Sequence, residues 1–296
     1  MIREVTVIGA GTMGKGIAQV FAQTAYKVRW LDISKEALDN GYKDIVYHLD
    51  KTLTKRNCTE KQKKETLDNL SLFTEVKKAV SSVELVIEAI TENEKAKLEI
   101  FREIDAYAPK GCILASNTSS ISITKIASAT RRPEQVIGMH FMNPVPVMPL
   151  VEIIKGYSTA RETFNTAYAI SKTLGKSPVE ANDYPGFVAN RILMPMINEA
   201  IEVLRTGIAG VEEIDAVMKL GMAHPMGPLQ LADFIGLDIC LAILEVMYDG
   251  FKNPKYAPNP LLIKMVTAGK LGVKSREGFY DYSENKKAER ISRMFS

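Results

Sequence analysis

The sequence predicts an α/β chain: a mostly parallel sheet with helices on both faces, followed by an all-helical C-terminal domain. Three observations carry this. Short β-rich apolar runs alternate with helix-period segments through the first half. A Pro-Gly break stands at Asn182-Asp183-Tyr184-Pro185-Gly186. Beyond it only helical patterns follow. At 296 residues the chain has room for two domains, expected over 1–183 and 184–296.

The elements follow in order. Val5-Thr6-Val7-Ile8 reads as the first strand. Gly9 to Gly14 then turns into a helix with apolar positions at Ile17, Ala18, Val20 and Phe21. Lys27 to Leu31 reads as the second strand. The connection from Asp32 to Val83 is far longer than a βα unit needs. Within it, 35–56 and 60–68 look helical and highly charged. A helical hairpin insertion near 35–70, projecting from the sheet, is expected there, either as a solvated excursion or as a clamp for a large substrate. Val83 to Ala89, Cys112 to Ser116 and Val136 to Phe141 read as further strands. Helices at Glu94 to Tyr107 and Thr124 to Ala129 separate them. After the break, Phe187 to Arg205, Val211 to Leu220, Pro228 to Ile235, Leu237 to Tyr248 and Asn259 to Ala268 read as helices.

Composition excludes several classes of function. Lys and Arg number 38 against 35 Asp and Glu, with no basic stripe among aromatics, so nucleic acid is not an expected partner. Cys58, Cys112 and Cys240 form no CxxC pair, and His48, His140 and His224 are scattered, so no metal site is expected. No apolar run reaches the ~18 residues of a membrane span. Met1-Ile2-Arg3-Glu4 leads straight into a strand, without the features of a secretory signal. A cytoplasmic protein with no membrane partner is expected.

Gly9-Ala10-Gly11-Thr12-Met13-Gly14 matches GxGxxG between a strand and a helix, the context that gives this motif meaning. Gly9 permits the tight turn. Gly11 lets a pyrophosphate approach the positive end of the helix, with Thr12 and Met13 completing the turn. Gly14 lets helix pack closely on strand. The first domain is then Rossmann-like. Asp32 ends the second strand, where a carboxylate accepts hydrogen bonds from ribose hydroxyls and repels a 2′-phosphate. NAD (NADH) is the expected cofactor. A glycine-rich turn in an unrelated α/β protein is the plainer alternative.

Open α/β sheets bind ligands at the carboxyl ends of their strands. Small and polar residues gather at those ends here: Glu88, Ala89 and Glu92, then Ser116-Asn117-Thr118-Ser119, then His140-Phe141-Met142-Asn143-Pro144. Ala89 and Asn117 are candidates for the cofactor side. His140 is the natural base, because a neutral imidazole takes a hydroxyl proton near neutral pH; taken alone, it reads as a satisfied histidine at a strand end. Glu152 sits in the apolar run Leu150-Val151-Glu152-Ile153-Ile154, where a carboxylate is costly unless paired. If the Pro144–Pro149 loop folds the chain back, Glu152 meets His140 and fixes its tautomer. Asn190 falls in the first turns of the first C-terminal helix, as a candidate donor to a carbonyl or hydroxyl oxygen. His48 and His224 read as non-catalytic and Arg191 as structural. Lys51 and Lys55 share one helical face, and with Arg56 they form a small cationic patch. It is a solvated surface by default, or a seat for phosphates.

These segments resemble the L-3-hydroxyacyl-CoA dehydrogenase family. The resemblance rests on VIGAGTMGKGIA (7–18), VIEAITEN (86–93), ASNTSS (115–120), GMHFMNPVPVMPLVEII (138–154), DYPGFVANR (183–191), KLGMAHPMGPLQLADFIGLD (219–238) and KSREGFYDY (274–282). It spans essentially the whole chain. It implies NAD-dependent oxidation of a 3-hydroxyacyl-CoA to the 3-ketoacyl-CoA, or the reverse, with 3-hydroxybutyryl-CoA and acetoacetyl-CoA the expected pair. It implies His140 as base, Glu152 as its orienting partner, and Ser119 and Asn190 on the substrate oxygen. Asn143, Glu92, Lys97 and Lys274 match positions near the cofactor, and the hairpin with Lys51 and Lys55 matches CoA contacts. A homodimer through the C-terminal domain is also implied. The length leaves no room for a fused hydratase domain, so the chain resembles the monofunctional members. Two other readings stand beside this one: a sugar-acid or free hydroxy-acid dehydrogenase on the same scaffold, and a non-catalytic NAD-binding protein.

Overall fold

In a computed structural model that describes residues 2–54 and 58–296, the chain forms two compact units, Met1–Tyr184 and Pro185–Ser296. The first unit runs β1 (Glu4–Ile8), α1 (Thr12–Gln23), β2 (Lys27–Leu31), α2 (Lys35–Thr54), α3 (Glu60–Asp68), β3 (Leu70–Phe73), α4 (Val76–Val80), β4 (Leu85–Glu88), α5 (Glu94–Tyr107), β5 (Ile113–Ser116), α6 (Ile123–Ala127), β6 (Val136–Phe141), β7 (Leu150–Lys155), α7 (Arg161–Thr173) and β8 (Ser177–Asn182). The strands form one sheet in the order β3-β2-β1-β4-β5-β6-β7-β8. Every neighbouring pair is parallel except β6 with β7. The chain winds outward from β1 to β3, then returns to β4 on the other side of β1. The direction of winding therefore reverses between β1 and β4, where a crevice opens in such sheets.

The central strands read as continuous apolar runs because both of their faces are covered. β4 and β5 are buried at every position. Val5, Val7, Trp30, Leu85, Ile87 and Ala115 lie in one core with Phe21 of α1. The long connection after Asp32 contains more than a helical hairpin. It also holds β3, a short edge strand that pairs Val28 with Leu70 and Leu31 with Phe73. Nor does α2 stand clear of the sheet. Leu38, Gly41, Ile45 and Leu49 are buried, and a Cβ at Gly41 would lie 2.6 Å from the Trp30 ring. Glycine is required there for the helix to seat on the indole.

Beyond β7, which the sequence reading already folded back onto His140, the strand β8 and the helix α7 escape that reading. In β7 the carboxylate of Glu152 interrupts the apolar run. β8 buries only Pro178 and Ala181, as suits an edge strand with proline at its second position. Between them lies α7, with Phe164, Ala167 and Ile170 inward.

The second unit holds α8 (Ala189–Arg205), α9 (Val211–Ala216), α10 (Pro228–Ile235), α11 (Leu237–Phe251) and α12 (Pro260–Thr267). Its core joins Ile197 and Ile201 of α8, Leu229 of α10, Leu244 and Met247 of α11, and Leu262 of α12. The expected helix Val211 to Leu220 is present but changes its winding along the way. α9 stops at Ala216 and a wider π-type turn takes Val217–Gly221. After α12 the chain is mostly irregular, and isolated bridges such as Gly272 with Glu277 fold it back. Among the described residues no helix is long and apolar enough to cross a membrane.

Candidate active site

The candidate site grows from the carboxyl ends of β1, β2, β4, β5 and β6. Gly9 follows β1 with φ of 108°, where only glycine is at ease. A Cβ there would lie 2.5 Å from the Ala89 carbonyl oxygen at the end of β4. Gly14 packs against the Gly9 carbonyl, which a Cβ would strike at 2.0 Å. Around Gly11 the space is open: a Cβ would meet nothing within 4 Å. Thr12 is exposed and Met13 half-buried against the core. The first turn of α1 therefore presents backbone N–H groups beside an open face, the arrangement that receives a pyrophosphate. Asp32 lies beside this turn. Its carboxylate accepts the Ala10 N–H at 2.7 Å and the Ser34 N–H at 2.9 Å. A dinucleotide fits these residues, with its phosphates on the helix terminus and its ribose hydroxyls on Asp32.

At the end of β4, Glu88 is fully buried and accepts from three donors. They are the Lys97 ammonium at 2.5 Å, the Ser116 hydroxyl at 2.6 Å and the Ile90 N–H at 2.8 Å. Lys97 projects from α5 and also lies 3.4 Å from Glu92. Glu92 Oε1 accepts the Thr118 hydroxyl at 2.6 Å, the N–H of Ser119 at 2.8 Å, and the N–H and hydroxyl of Ser120, both at 2.9 Å. Desolvation by the surrounding loop works to raise the Glu92 carboxyl, but the Lys97 charge and these hydrogen bonds outweigh it and hold the group below its ordinary value. Asn117, at the end of β5, accepts the Phe141 N–H through Oδ1 at 2.9 Å. That bond fastens the end of β5 to the end of β6.

β6 and β7 are joined by the loop 142–149 and run antiparallel, in a register that sets His140 directly opposite Glu152. This is the closest side-chain approach that a sheet offers. His140 Nδ1 lies 2.9 Å from Glu152 Oε2, and His140 Nε2 lies 3.0 Å from the Ser119 hydroxyl. Both members of the strand pair are buried. A carboxylate on Nδ1 favours the tautomer with its proton there and leaves Nε2 as the basic nitrogen. The arrangement can take up a proton at Nε2 beside the Ser119 hydroxyl and stabilise the imidazolium that results.

Asn143 and Lys51 also belong to the first unit, and Asn190 and Lys274 to the second. Asn143 is exposed in the loop after β6. Lys51 is exposed on α2, with its ammonium 4.4 Å from the Tyr47 ring centroid. Lys55 and Arg56 fall outside the described residues. In the second unit, Asn190 is buried in the first turn of α8. Lys274 pairs there with Asp238, Nζ to Oδ2 at 2.6 Å. Among the described residues no group of His, Cys, Asp and Glu could hold a metal. Sequence reasoning placed Glu88 and Thr118 at this rim without giving either a task, and gave Ser120 none. The clue was a carboxylate ending an apolar strand, VIE, with a lysine on the next helix.

Known proteins match both units of the chain. Residues 4–184 match the family profile for the 3-hydroxyacyl-CoA dehydrogenase NAD binding domain, and residues 186–282 match that for the C-terminal domain of the same enzymes. The chain is 52% identical, over 96% of its length and 98% of the relative's, to the probable 3-hydroxybutyryl-CoA dehydrogenase of Bacillus subtilis (strain 168). It is 44% identical to the mitochondrial hydroxyacyl-coenzyme A dehydrogenase of Homo sapiens, over 95% of this chain and 92% of that one. The crystal structure of (S)-3-hydroxybutyryl-CoA dehydrogenase from Ralstonia eutropha superposes with a TM-score of 0.92 at 49% identity, covering 96% of this chain and 100% of that one. With both of its units matched in sequence and in fold, the chain belongs to the 3-hydroxyacyl-CoA dehydrogenase family.

Proposed function

We propose that this protein catalyses the NAD-dependent oxidation of an (S)-3-hydroxyacyl-CoA to the 3-ketoacyl-CoA and the reverse reduction, with 3-hydroxybutyryl-CoA and acetoacetyl-CoA as the pair. The observation that carries the reading is the chain of contacts Ser119–His140–Glu152 on the rim that also bears the Gly9–Gly14 turn. His140 Nε2 takes the proton of the 3-hydroxyl. Ser119 donates to the same oxygen as it becomes a carbonyl. Glu152 holds the ring in the working tautomer and balances its positive charge while the proton resides on it. NAD held on the Gly9–Gly14 turn would supply the acceptor for the hydride that leaves C3. In the reductive direction His140 returns the proton to the oxygen.

Asn190 is assigned to the substrate oxygen, and Asn143, Lys97, Glu92 and Lys274 to the neighbourhood of the cofactor, on family resemblance. Lys51 and Lys55 are assigned to CoA phosphates on the same ground. Ile192, Ile208, Leu220, Met222 and Phe234 of the second unit are exposed. So many large apolar side chains on one small unit support its self-association into a homodimer. The protein is assigned to the cytoplasm.

The test is NADH consumption with acetoacetyl-CoA, set beside free acetoacetate. Turnover with the thioester alone is the expected result. Equal turnover of the free acid would move the assignment to a free hydroxy-acid dehydrogenase. Folded protein that binds NADH and turns over neither would favour a non-catalytic role.

A further inference from the structure

The loop 117–122 carries Ser119 from the end of β5 into α6, and two carboxylates grip it from opposite ends. Glu92 takes the first half through Thr118, Ser119 and Ser120. Asp183 takes the second. Its Oδ2 accepts the Ser122 hydroxyl and the Thr124 N–H, both at 2.7 Å, and its Oδ1 accepts the Ile123 N–H at 3.0 Å. The span between the two grips is closed from within. Ile121 is buried and its N–H donates to the Thr118 hydroxyl at 2.9 Å.

Asp183 comes to this loop from a distant part of the chain. It follows β8, whose last residue, Asn182, pairs with Lys155 of β7. β7 is the strand that presents Glu152 to His140. One carboxylate therefore couples the Ser119 loop, through the edge strand β8, to β7 and β6, which carry the other two members of the contact chain. A hydrogen bond between Ser119 and His140 requires the loop and these strands to hold a common register within a few tenths of an ångström.

We infer that Asp183 is a positioning residue that sets Ser119 against His140, an inference that rests on the role given to Ser119 above. Helix capping by itself would make Asp183 a matter of stability. Positioning makes it act on the reaction through Ser119. A double-mutant cycle separates the two, because residues that act through one another are not additive.

The experiment measures kcat and KM for acetoacetyl-CoA reduction, together with Tm, in the unaltered protein, Ser119→Ala, Asp183→Ala and the double variant. Asp183→Ala is expected to lower kcat by about 10- to 100-fold, as displaced groups do, with the KM for NADH changed by less than about 2-fold. In the Ser119→Ala background the same change is expected to lower kcat by less than about 2-fold. Asp183→Asn, which keeps the shape and one acceptor, is expected to recover part of the loss. It takes the place of Asp183→Ala in the cycle should that variant fail to fold. An equal loss in both backgrounds, or a fall in Tm with unchanged kcat, overturns the inference and leaves the role of Ser119 standing. A Ser119→Ala protein as fast as the unaltered one overturns the role of Ser119 and the inference with it.

Discussion

The two units bury their carboxylates in opposite ways. In the first, each buried acid at the rim faces a base. Glu88 meets the Lys97 ammonium, and Glu152 meets His140. In the second, Asp215 and Asp233 are as deeply buried but meet dipoles. Asp215 accepts the N–H of Leu229 and Gln230, both at 2.9 Å, and the Tyr280 hydroxyl at 2.8 Å. Asp233 accepts the N–H of Phe279 at 3.0 Å and Tyr280 at 2.9 Å, and the Tyr282 hydroxyl at 3.2 Å. The consequences differ in sign. Glu92, beside Lys97, is held below its ordinary value, whereas burial, with a push from Asp215, lifts Asp233 to about 7. A carboxylate with a cation beside it, as Glu92 has Lys97, keeps its charge. One with dipoles alone works as a staple, here fastening the irregular segment 272–282 to α10.

This contrast is broken most sharply at His140. His140→Gln is expected to lower kcat by at least ~10²-fold, the lower end of general base catalysis, with NADH affinity and Tm unchanged. Steady-state kinetics and NADH titration of the folded variant decide it. Unchanged turnover would remove the pairing with Glu152 from the chemistry.

Asp233→Ala addresses the other side of the contrast. It strands two buried N–H groups and a tyrosine hydroxyl, and is expected to cost about 3 kcal/mol of stability. Chemical denaturation measures it. A variant as stable as the unaltered chain would mean that the segment 272–282 holds without its staple.

The same contrast explains how much could be read in advance. The Gly9–Gly14 turn and Asp32 were legible because their spacing is local and each glycine answers a steric demand. His140 and Glu152 were legible because one proline-rich loop separates them and a carboxylate in an apolar run calls for a partner. The clamp on the Ser119 loop was not. It draws Glu92, Ser119 and Asp183 together only through the strand order, which no local pattern encodes. β3 and β8 stayed hidden as short edge strands without alternation, and α7 lay in a stretch where helical period and turn residues mix. The staple by Asp215 and Asp233 was equally invisible, since two aspartates on ordinary helices carry no sign of what folds onto them.

Asp32 gives a smaller effect, in specificity. Its carboxylate repels a 2′-phosphate, so Asp32→Ala is expected to narrow the preference for NADH over NADPH by about 10-fold. The ratio of kcat/KM for the two cofactors measures it, and an unchanged ratio would take the ribose contact away from Asp32.

The smallest effect is also the one that tests the contrast by sign. Asp233 holds its proton more tightly folded than unfolded, so its contribution to stability is complete below the ordinary carboxylate range and declines as pH rises through about 7. Glu92 does the reverse, with a contribution present above the ordinary range and lost as pH falls through its depressed value. As pH rises from about 6 to about 8, Asp233 gives up its proton and the second unit is expected to lose about 1 kcal/mol. Amide exchange in 228–235 and 277–282, corrected for the intrinsic rate, reports this loss, and Asp233→Asn should abolish the slope. A slope that survives the substitution would assign the pH dependence to other groups. Equal slopes in the α5 and β4 amides would mean that the two units unfold together, so that the opposed carboxylates share one transition.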